Sequence, residues 1–240
     1  MIERDWTPSL SWYTQILSDP GLYTPIFRSL EIAVIVVSIQ IVLGYILASV
    51  TVRGRVHGAR LLDAASNVTI ALPSVVLGLA LLAFYGGFGP VQALTDLVFG
   101  NPLSLTWTLW IVVMAHVLET FPYMVRSVST GMQRLDPEME MAARSLGAKP
   151  FRVWRTITLP QLAPSIASGA VLVFSRSIAE FGATIIVVSA ILNTAPINIY
   201  VEAEGGSLEL AAAYSVVLMA FSLVAYLALR RVLKGTPPSI

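Results

Sequence analysis

The sequence has 240 residues, of which 56% are hydrophobic and 12% are charged, and its mean hydropathy is +0.76. Soluble domains carry roughly 25% charged residues, so this composition excludes an ordinary soluble domain and favours a protein embedded in a membrane. The net charge of +1 says little by itself. Cysteine is absent, which excludes disulfides, thiolate metal sites and a cysteine nucleophile.

The first 29 residues are polar at their start, carry charges of both signs, and do not have the basic n-region of a signal peptide. We assign residues 1–29 to an extracytoplasmic N-terminal segment. Tryptophan and tyrosine favour membrane interfaces, so an apolar-aromatic patch in this segment predicts a short helix lying on the outer surface. An ordinary polar tail is an equal alternative. The patch consists of Leu10, Trp12, Tyr13, Ile16 and Leu17.

Five stretches are apolar enough, over about 20 residues, to cross a bilayer as helices. In chain order they are Leu30–Val52, Ala65–Phe84, Trp107–Val125, Ala163–Val188 and Leu210–Leu229. Pro73 and Pro122 are expected to kink the second and third stretches. The sequence therefore predicts an all-α, polytopic bundle of about five transmembrane helices over residues 30–234, followed by a tail over residues 235–240.

The basic residues predict how this bundle is oriented. Of the 15 Lys and Arg residues, 12 fall between the first and second stretches, between the third and fourth, or after the fifth. The positive-inside rule places these connections in the cytoplasm, so the N-terminus is expected outside and the C-terminus inside. The 12 residues are Arg53, Arg55, Arg60, Arg126, Arg134, Arg144, Lys149, Arg152, Arg155, Arg230, Arg231 and Lys234.

The predicted cytoplasmic connection 126–162 has the pattern of two short helices separated by a glycine. Asp136-Pro137-Glu138 predicts a helix start, because proline suits the first helical position and acids suit the positive end of the dipole. Gly147 predicts a left-handed C-cap. A second short helix is expected over Phe151–Thr156, ended by Leu159-Pro160, which would turn the chain back towards the membrane.

A bent unit of this kind can enter a groove on a partner protein. Ala142 and Ala143 would allow close approach, while Phe151 and Trp154 would supply contact area. The alternative is a basic amphipathic loop that rests on anionic lipid headgroups, and composition alone favours that alternative.

This connection resembles the EAA motif of ABC importer permeases, in which Glu-Ala-Ala is followed by Gly six residues after the Glu and then by Leu-Pro. Ala142, Ala143, Gly147, Ile157, Leu159 and Pro160 match the motif, and Trp154 takes a usual aromatic position. Met141 stands where the motif has Glu, with Glu140 one residue earlier. The residues that the resemblance assigns to ATPase coupling are Glu140, Ala142, Ala143, Leu146, Gly147, Phe151, Trp154, Leu159 and Pro160.

The predicted spans extend the resemblance to permeases for molybdate, tungstate and sulfate, although relatives for thiamine and ferric iron share much of the pattern. The resemblance implies the type I ABC importer fold, a pair of separate ATPase subunits, an extracytoplasmic substrate-binding protein and a second permease subunit, expected to be a copy of this chain. Thiamine or ferric iron transport is the alternative. The residues concerned are Leu72-Pro73, Gly78, Phe121-Pro122, Arg176 and Glu180-Phe181-Gly182-Ala183-Thr184.

Ionisable residues inside a span are candidates for function, because each is costly there unless it is paired. Arg176 and Glu180 lie four residues apart and are expected to pair on one helix face, as a structural ion pair or with Arg176 attracting an anion in the path. His116 and Glu119 are further candidates for the path. A negative charge there would suit a cationic cargo, whereas a packed, hydrogen-bonded histidine is the commoner outcome.

The sequence contains no G-x-x-x-x-G-K-[ST] run, since neither Lys149 nor Lys234 follows a glycine. ATP hydrolysis is therefore expected in a separate subunit, and this chain is expected not to be an enzyme. His57 and His116 lie on different segments and suggest no metal site. We predict a plasma-membrane permease without cofactor, metal or nucleic-acid partner. A non-transporting scaffold whose basic loop binds another partner or lipid is the alternative from a different class.

Overall fold

The computed structural model describes residues 10–54, 59–87, 89–100, 107–188 and 192–234, and these residues form helices and short connections without a β-strand. Arg55, His57 and the predicted tail 235–240 lie outside the described residues. The helices are α1 Ser11–Ser18, α2 Pro20–Arg53, α3 Ala59–Ala71, α4 Ser74–Tyr85, α5 Pro90–Phe99, α6 Leu109–Gln133, α7 Pro137–Ser145, α8 Pro150–Val153, a π-helical turn Trp154–Thr158, α9 Leu159–Ile178, α10 Gly182–Val187, α11 Ala195–Glu204 and α12 Leu208–Lys234.

Five helical segments are long and apolar enough to cross a membrane, as the sequence predicts. The third extends further than predicted, because α6 continues unbroken past buried Pro122 to Gln133. The fifth covers the predicted stretch within α12. The segments are Pro20–Arg53, Ser74–Phe99, Leu109–Gln133, Pro150–Ile178 and Leu208–Arg231.

The first long helix begins at Pro20, ten residues before the predicted start of the first span at Leu30, whereas the assignment of residues 1–29 to an extracytoplasmic segment stays a prediction. Pro20 occupies the first turn of α2, and the Asp19 carboxylate caps that turn by accepting from Gly21 N at 2.8 Å. A helix of 34 residues is about 50 Å long, well above the ~30 Å hydrocarbon core. The first turns of α2 therefore project beyond the apolar stretch that the sequence reveals.

The residues before α2 form the short helix α1, as one of the two interpretations of the N-terminal patch expects, whereas its location on the outer membrane surface stays a prediction. Ile16 is fully buried, and Trp12 and Tyr13 pack on a cluster contributed by α2, α11 and α12. Leu10 and Leu17 are exposed. The helix thus packs against the bundle through one face.

The second predicted span, Ala65–Phe84, is not one helix, because the chain breaks between Ala71 and Ser74. Pro73 has φ −58° and ψ 136°, an extended conformation, and it has no N–H with which to continue the α3 hydrogen bonds. The effect of this proline is therefore a break between α3 and α4 and not the expected kink.

The fourth predicted span, Ala163–Val188, is wrong at both ends. Leu159-Pro160 does not stop the helix, which runs continuously from Pro150 to Ile178. In the π-helical turn the N–H of Leu159 bonds to the carbonyl of Trp154, five residues back. This wider turn accommodates Pro160, which cannot donate a bond of its own. At the other end the helix is interrupted at residues 179–181, before α10.

The core of the bundle forms around α6, which packs between α2 and α9. Met124 of α6 lies between two glycines, Gly44 of α2 and Gly169 of α9. A Cβ added at Gly169 would lie 2.7 Å from Met124 Sδ, and one added at Gly44 would also overlap Met124. Small residues at these two positions are what allow three long helices to approach closely.

Candidate functional site

The connection between α6 and α9 lies at the end of the bundle where α2 and α6 also end, which we call the basic end. The Asp136 carboxylate accepts from Glu138 N at 2.8 Å and caps α7, with Pro137 in its first turn. At the other terminus, Ala148 N bonds to Ala143 O at 3.0 Å and Gly147 N bonds to Arg144 O at 2.9 Å. With Gly147 at φ +83°, these bonds form a Schellman motif. The predicted helix start and glycine C-cap are confirmed.

The outward side of this unit carries an apolar patch. Leu146 is 89% exposed, Phe151 is 67% exposed and Met141 is 57% exposed. Ala142 is also exposed, whereas Ala143 is half-buried. The exposed basic side chains of the same segment are Arg144, Lys149, Arg152 and Arg155.

Trp154 does not belong to this outward patch, although the sequence predicts that Trp154 and Phe151 both supply contact area to a partner. Its indole is half-buried, and Nε1 donates to the hydroxyl of Tyr45 on α2 at 2.7 Å. Its ring stacks on Phe151 with centroids 5.6 Å apart. Trp154 therefore connects the exposed Phe151 to α2, because the start of the π-helical turn directs it towards the bundle.

Glu140 also points inward. Its carboxylate accepts from Arg53 Nη2 at 2.7 Å, from Arg53 Nη1 at 3.2 Å and from Thr158 Oγ1 at 2.6 Å. Burial alone would raise the pKa of Glu140, but the hydrogen bonds from Thr158 and Arg53, and the nearby positive charges, outweigh burial and lower the pKa below its ordinary value. Arg53, Thr158 and Tyr45 are functional candidates that the sequence analysis missed, because their partners lie far away along the chain.

The last two predicted coupling residues lie at the start of α9. Leu159 is half-buried against the core, and Pro160 is exposed. Pro160 lines a cavity of about 530 Å³ between α9 and the end of α6. Both residues therefore lie next to the unit of α7, Gly147 and α8, and neither forms part of its outward patch.

The charged residues inside the membrane-length helices make contacts that differ from the one ion pair that the sequence predicts. Arg176 does not pair with Glu180. Its Nη2 lies 3.4 Å from Glu119 Oε1, and its guanidinium carbon lies 5.4 Å from the centre of the Tyr123 ring. The reason is the interruption at residues 179–181, which removes Glu180 from the α9 face that carries Arg176.

Glu180 instead belongs to a buried polar network with His116. It accepts from Ala183 N at 2.8 Å and from Thr184 N and the Thr184 hydroxyl, so it caps the start of α10. His116 is 2% exposed and contacts Ser177 Oγ through Nδ1 at 2.8 Å and Thr184 Oγ1 through Nε2 at 2.9 Å. His116 is thus the packed, hydrogen-bonded residue of the alternative interpretation.

A polar groove separates the exposed faces of α6 and α9 and has a volume of about 380 Å³. Arg126 and Arg134 line it from α6, and Ser165 and Ser168 line it from α9. Arg126 Nε also donates to Asn67 Oδ1 of α3 at 2.9 Å. The remaining lining residues are Tyr123, Ser127, Thr130 and Leu172. A spacing of three or four residues among these polar positions is a signal that the sequence analysis did not use.

Residues 40–236 match the family described as "Binding-protein-dependent transport system inner membrane component". The chain belongs to this family. The molybdenum transport system permease protein ModB of Escherichia coli (strain K12) is 38% identical to this permease over 176 residues, which cover 73% of this chain and 76% of ModB. The sulfate transport system permease protein CysT of Salmonella typhimurium is 30% identical over 223 residues, which cover 90% of this chain and 78% of CysT.

The fold of the permease also has solved counterparts. The crystal structure of a bacterial ABC transporter involved in the import of the acidic polysaccharide alginate superposes with a TM-score of 0.79 at 14% identity, and the match covers 96% of this chain and 85% of that one. At that identity the likeness concerns the fold. The predicted fold class and the predicted family of ABC importer permeases are both confirmed.

Proposed function

We propose that this permease imports a tetrahedral divalent oxyanion, of which molybdate and sulfate are the leading candidates, and that the groove between α6 and α9 is part of the translocation path. The observation that carries the proposal is the row of arginines along this face. Arg126 and Arg134 line the groove, and Arg176, with about half of its side chain exposed, lies beyond them on α9. Molybdenum and sulfate transport by the two curated relatives agree with a cationic path.

The location of Arg176 supports this assignment on physical grounds. Its partner Glu119 lies near the midpoint of α6, so the pair sits at bilayer depth. An arginine on a lipid-facing surface at that depth is costly, and such residues usually face a bundle interior or a water-filled path. Guanidinium groups also match oxyanions, because they offer several donors in a planar fork.

At the basic end, the apolar patch of Met141, Leu146 and Phe151 is proposed to dock on a separate ATPase subunit. The exposed cations of the same segment suit a groove with an acidic rim. In this assignment the basic end is cytoplasmic, the N-terminus is extracytoplasmic, and two copies of the chain form the path beneath a substrate-binding protein. An ATPase subunit should co-purify with the permease, whereas a non-transporting scaffold would not retain one.

The substrate proposal predicts the effect of removing single groove charges. Arg126→Gln and Arg134→Gln should each lower binding-protein-dependent uptake of molybdate or sulfate roughly ten- to a hundredfold, because a hydrogen bond to a charged group contributes about 1.5–3 kcal/mol. The measurement is uptake of both labelled oxyanions by proteoliposomes that contain the permease and its ATPase. Stimulation of ATP hydrolysis by the binding protein should persist, because neither arginine belongs to the outward patch or makes its contacts with Tyr45 and Arg53 of α2.

Arg230→Gln is the matched control. It removes the same charge from the exposed end of α12, outside the groove lining, and should leave uptake of both oxyanions unchanged. Full oxyanion uptake by both groove variants, or uptake of a cation in place of an oxyanion, would contradict the proposal.

A further inference from the structure

The ion pair between Arg176 and Glu119 is asymmetric in exposure. The Arg176 side chain is 52% exposed, whereas the Glu119 side chain is 14% exposed. Only Oε1 of Glu119 reaches the guanidinium, and Oε2 is buried without a hydrogen-bond partner among the described residues. The carboxylate therefore approaches the arginine from the protein side and leaves the outer side of the guanidinium open.

The contact is also weak for an arginine–carboxylate pair. Arg53 and Glu140 make two hydrogen bonds, the shorter of 2.7 Å, whereas Arg176 and Glu119 make one contact of 3.4 Å. Single, long contacts lack the geometric advantage of the bidentate arrangement. A competing anion with several acceptor oxygens can make shorter bonds to the guanidinium than Glu119 does.

Tyr123 gives Arg176 a second, neutral support. The guanidinium carbon lies 5.4 Å from the centre of the Tyr123 ring, within the range of a cation–π contact. This contact does not require Glu119, so the guanidinium can keep its position when the carboxylate is displaced. Arg176 is thus a cation held in place by the neutral ring of Tyr123, and Glu119 is a counter-ion that can move away from it.

We propose that Glu119 is an internal counter-ion that occupies the anion site at Arg176 when the path is empty, and that an oxyanion cargo binds by displacing it. The inference rests on the proposed function. A bare guanidinium at bilayer depth is costly, and the carboxylate removes that cost between transport cycles. When the cargo leaves, Glu119 returns to Arg176 and speeds release by competing for the same donors.

The absence of cysteine from the chain provides a direct test. Leu172 is 49% exposed, lines the groove and lies four residues before Arg176 within α9, a separation that brings side chains close on a helix. Leu172→Cys introduces one thiol whose reaction rates with an anionic and a cationic methanethiosulfonate report the local charge. The experiment uses the permease in complex with its ATPase, with molybdate as the competing oxyanion.

Adding Glu119→Gln to Leu172→Cys should raise the ratio of anionic to cationic labelling rates roughly fivefold, because one unit charge at this distance shifts each rate by a factor of about two in water. Arg176→Gln should lower the ratio by a similar factor. Molybdate should slow anionic labelling of the Glu119→Gln variant at a roughly tenfold lower concentration than in its parent. Glu31→Gln, which removes an exposed carboxylate on α2, should change neither quantity.

A labelling ratio that Glu119→Gln leaves unchanged would overturn the counter-ion assignment, as would a thiol that neither charged reagent reaches. Equal molybdate protection with and without the Glu119 carboxylate would overturn displacement. If Glu119→Gln misfolds, Glu119→Asp provides the second variant: its shorter side chain should raise the ratio in the same direction. Failure of the proposed function would give a different result, because the unmodified permease would then import neither oxyanion.

Discussion

Glu180 shows how one side chain can compensate for an interruption in a membrane helix. The break after α9 leaves the first N–H groups of α10 without helical acceptors, and the Glu180 carboxylate accepts from two of them, at Ala183 and Thr184. A buried unsatisfied N–H costs about 1–3 kcal/mol, so the acid stabilises the break. Sequence spacing could not reveal this, because the four-residue separation from Arg176 suggests a pair only if the helix is continuous.

Glu140 also stabilises the structure, in this case at the basic end, and its lowered pKa predicts how that contribution depends on pH. Because its folded-state pKa is lowered below the ordinary 4.5, its ionised form stabilises the contact of α7 with α2 at pH values above 4.5. That contribution is lost as the pH falls through the lowered pKa. Glu140→Gln should therefore speed hydrogen exchange of the α7 amides at pH 7, and its difference from the parent should vanish below that pKa.

The exchange measurement compares each variant with the parent at the same pH, which removes the intrinsic pH dependence of exchange. Glu138→Gln is the control, since Glu138 is an exposed acid in the first turn of the same helix. It should alter α7 exchange much less at pH 7. An equal effect of the two substitutions would mean that helix-end charge, and not the Arg53 and Thr158 contacts, stabilises α7.

At the scale of elements, α7 and its Gly147 C-cap could be predicted because their signals are local. Asp136, Pro137 and Gly147 act within a few residues of themselves, and the structure shows the cap and the Schellman motif where the sequence places them. The interruptions of the second and fourth spans were missed for the opposite reason. Hydropathy is continuous across Leu72-Pro73 and across residues 179–181, so the apolar pattern does not reveal either break.

Gly147 is the position at which this element is most sensitive. A Cβ there would meet open space, but φ is +83°, a conformation that costs a β-branched residue about 1–3 kcal/mol. Gly147→Val should distort the motif and abolish stimulation of ATP hydrolysis by the binding protein while the spans stay inserted. Gly147→Asn should retain much more stimulation, because asparagine tolerates left-handed φ.

Gly100 offers a matched control for Gly147. It caps α5 at φ +66° and also has open space around its Cβ position, so Gly100→Val imposes similar backbone strain away from the proposed docking surface. That variant should keep its stimulated ATP hydrolysis. Normal coupling in proteoliposomes with Gly147→Val would count against docking through α7 and α8.

At the scale of the whole molecule, α2 connects the two ends of the bundle. At its start, Asn198 Nδ2 of α11 donates to Gly21 O at 3.1 Å, and Ser29 Oγ accepts from Ala195 N at 2.9 Å. At its other end, Tyr45 accepts a hydrogen bond from Trp154, and Arg53 donates to Glu140. A force applied to the outward patch therefore has a direct route through α2 to the opposite side of the bundle, which suits a rigid-body motion of the bundle.

This route predicts that coupling efficiency depends on residues that touch neither cargo nor ATPase. Tyr45→Phe removes the hydroxyl that accepts from Trp154 but keeps the ring, and a net hydrogen bond contributes about 0.5–1.5 kcal/mol. The ATP hydrolysed per oxyanion imported should rise roughly two- to tenfold, and adding Arg53→Gln should raise it further. Tyr226→Phe on α12 removes a hydroxyl elsewhere and should leave the ratio unchanged. If Tyr45→Phe lowered uptake and ATP hydrolysis equally, the contact would serve assembly, because transmission alone changes their ratio.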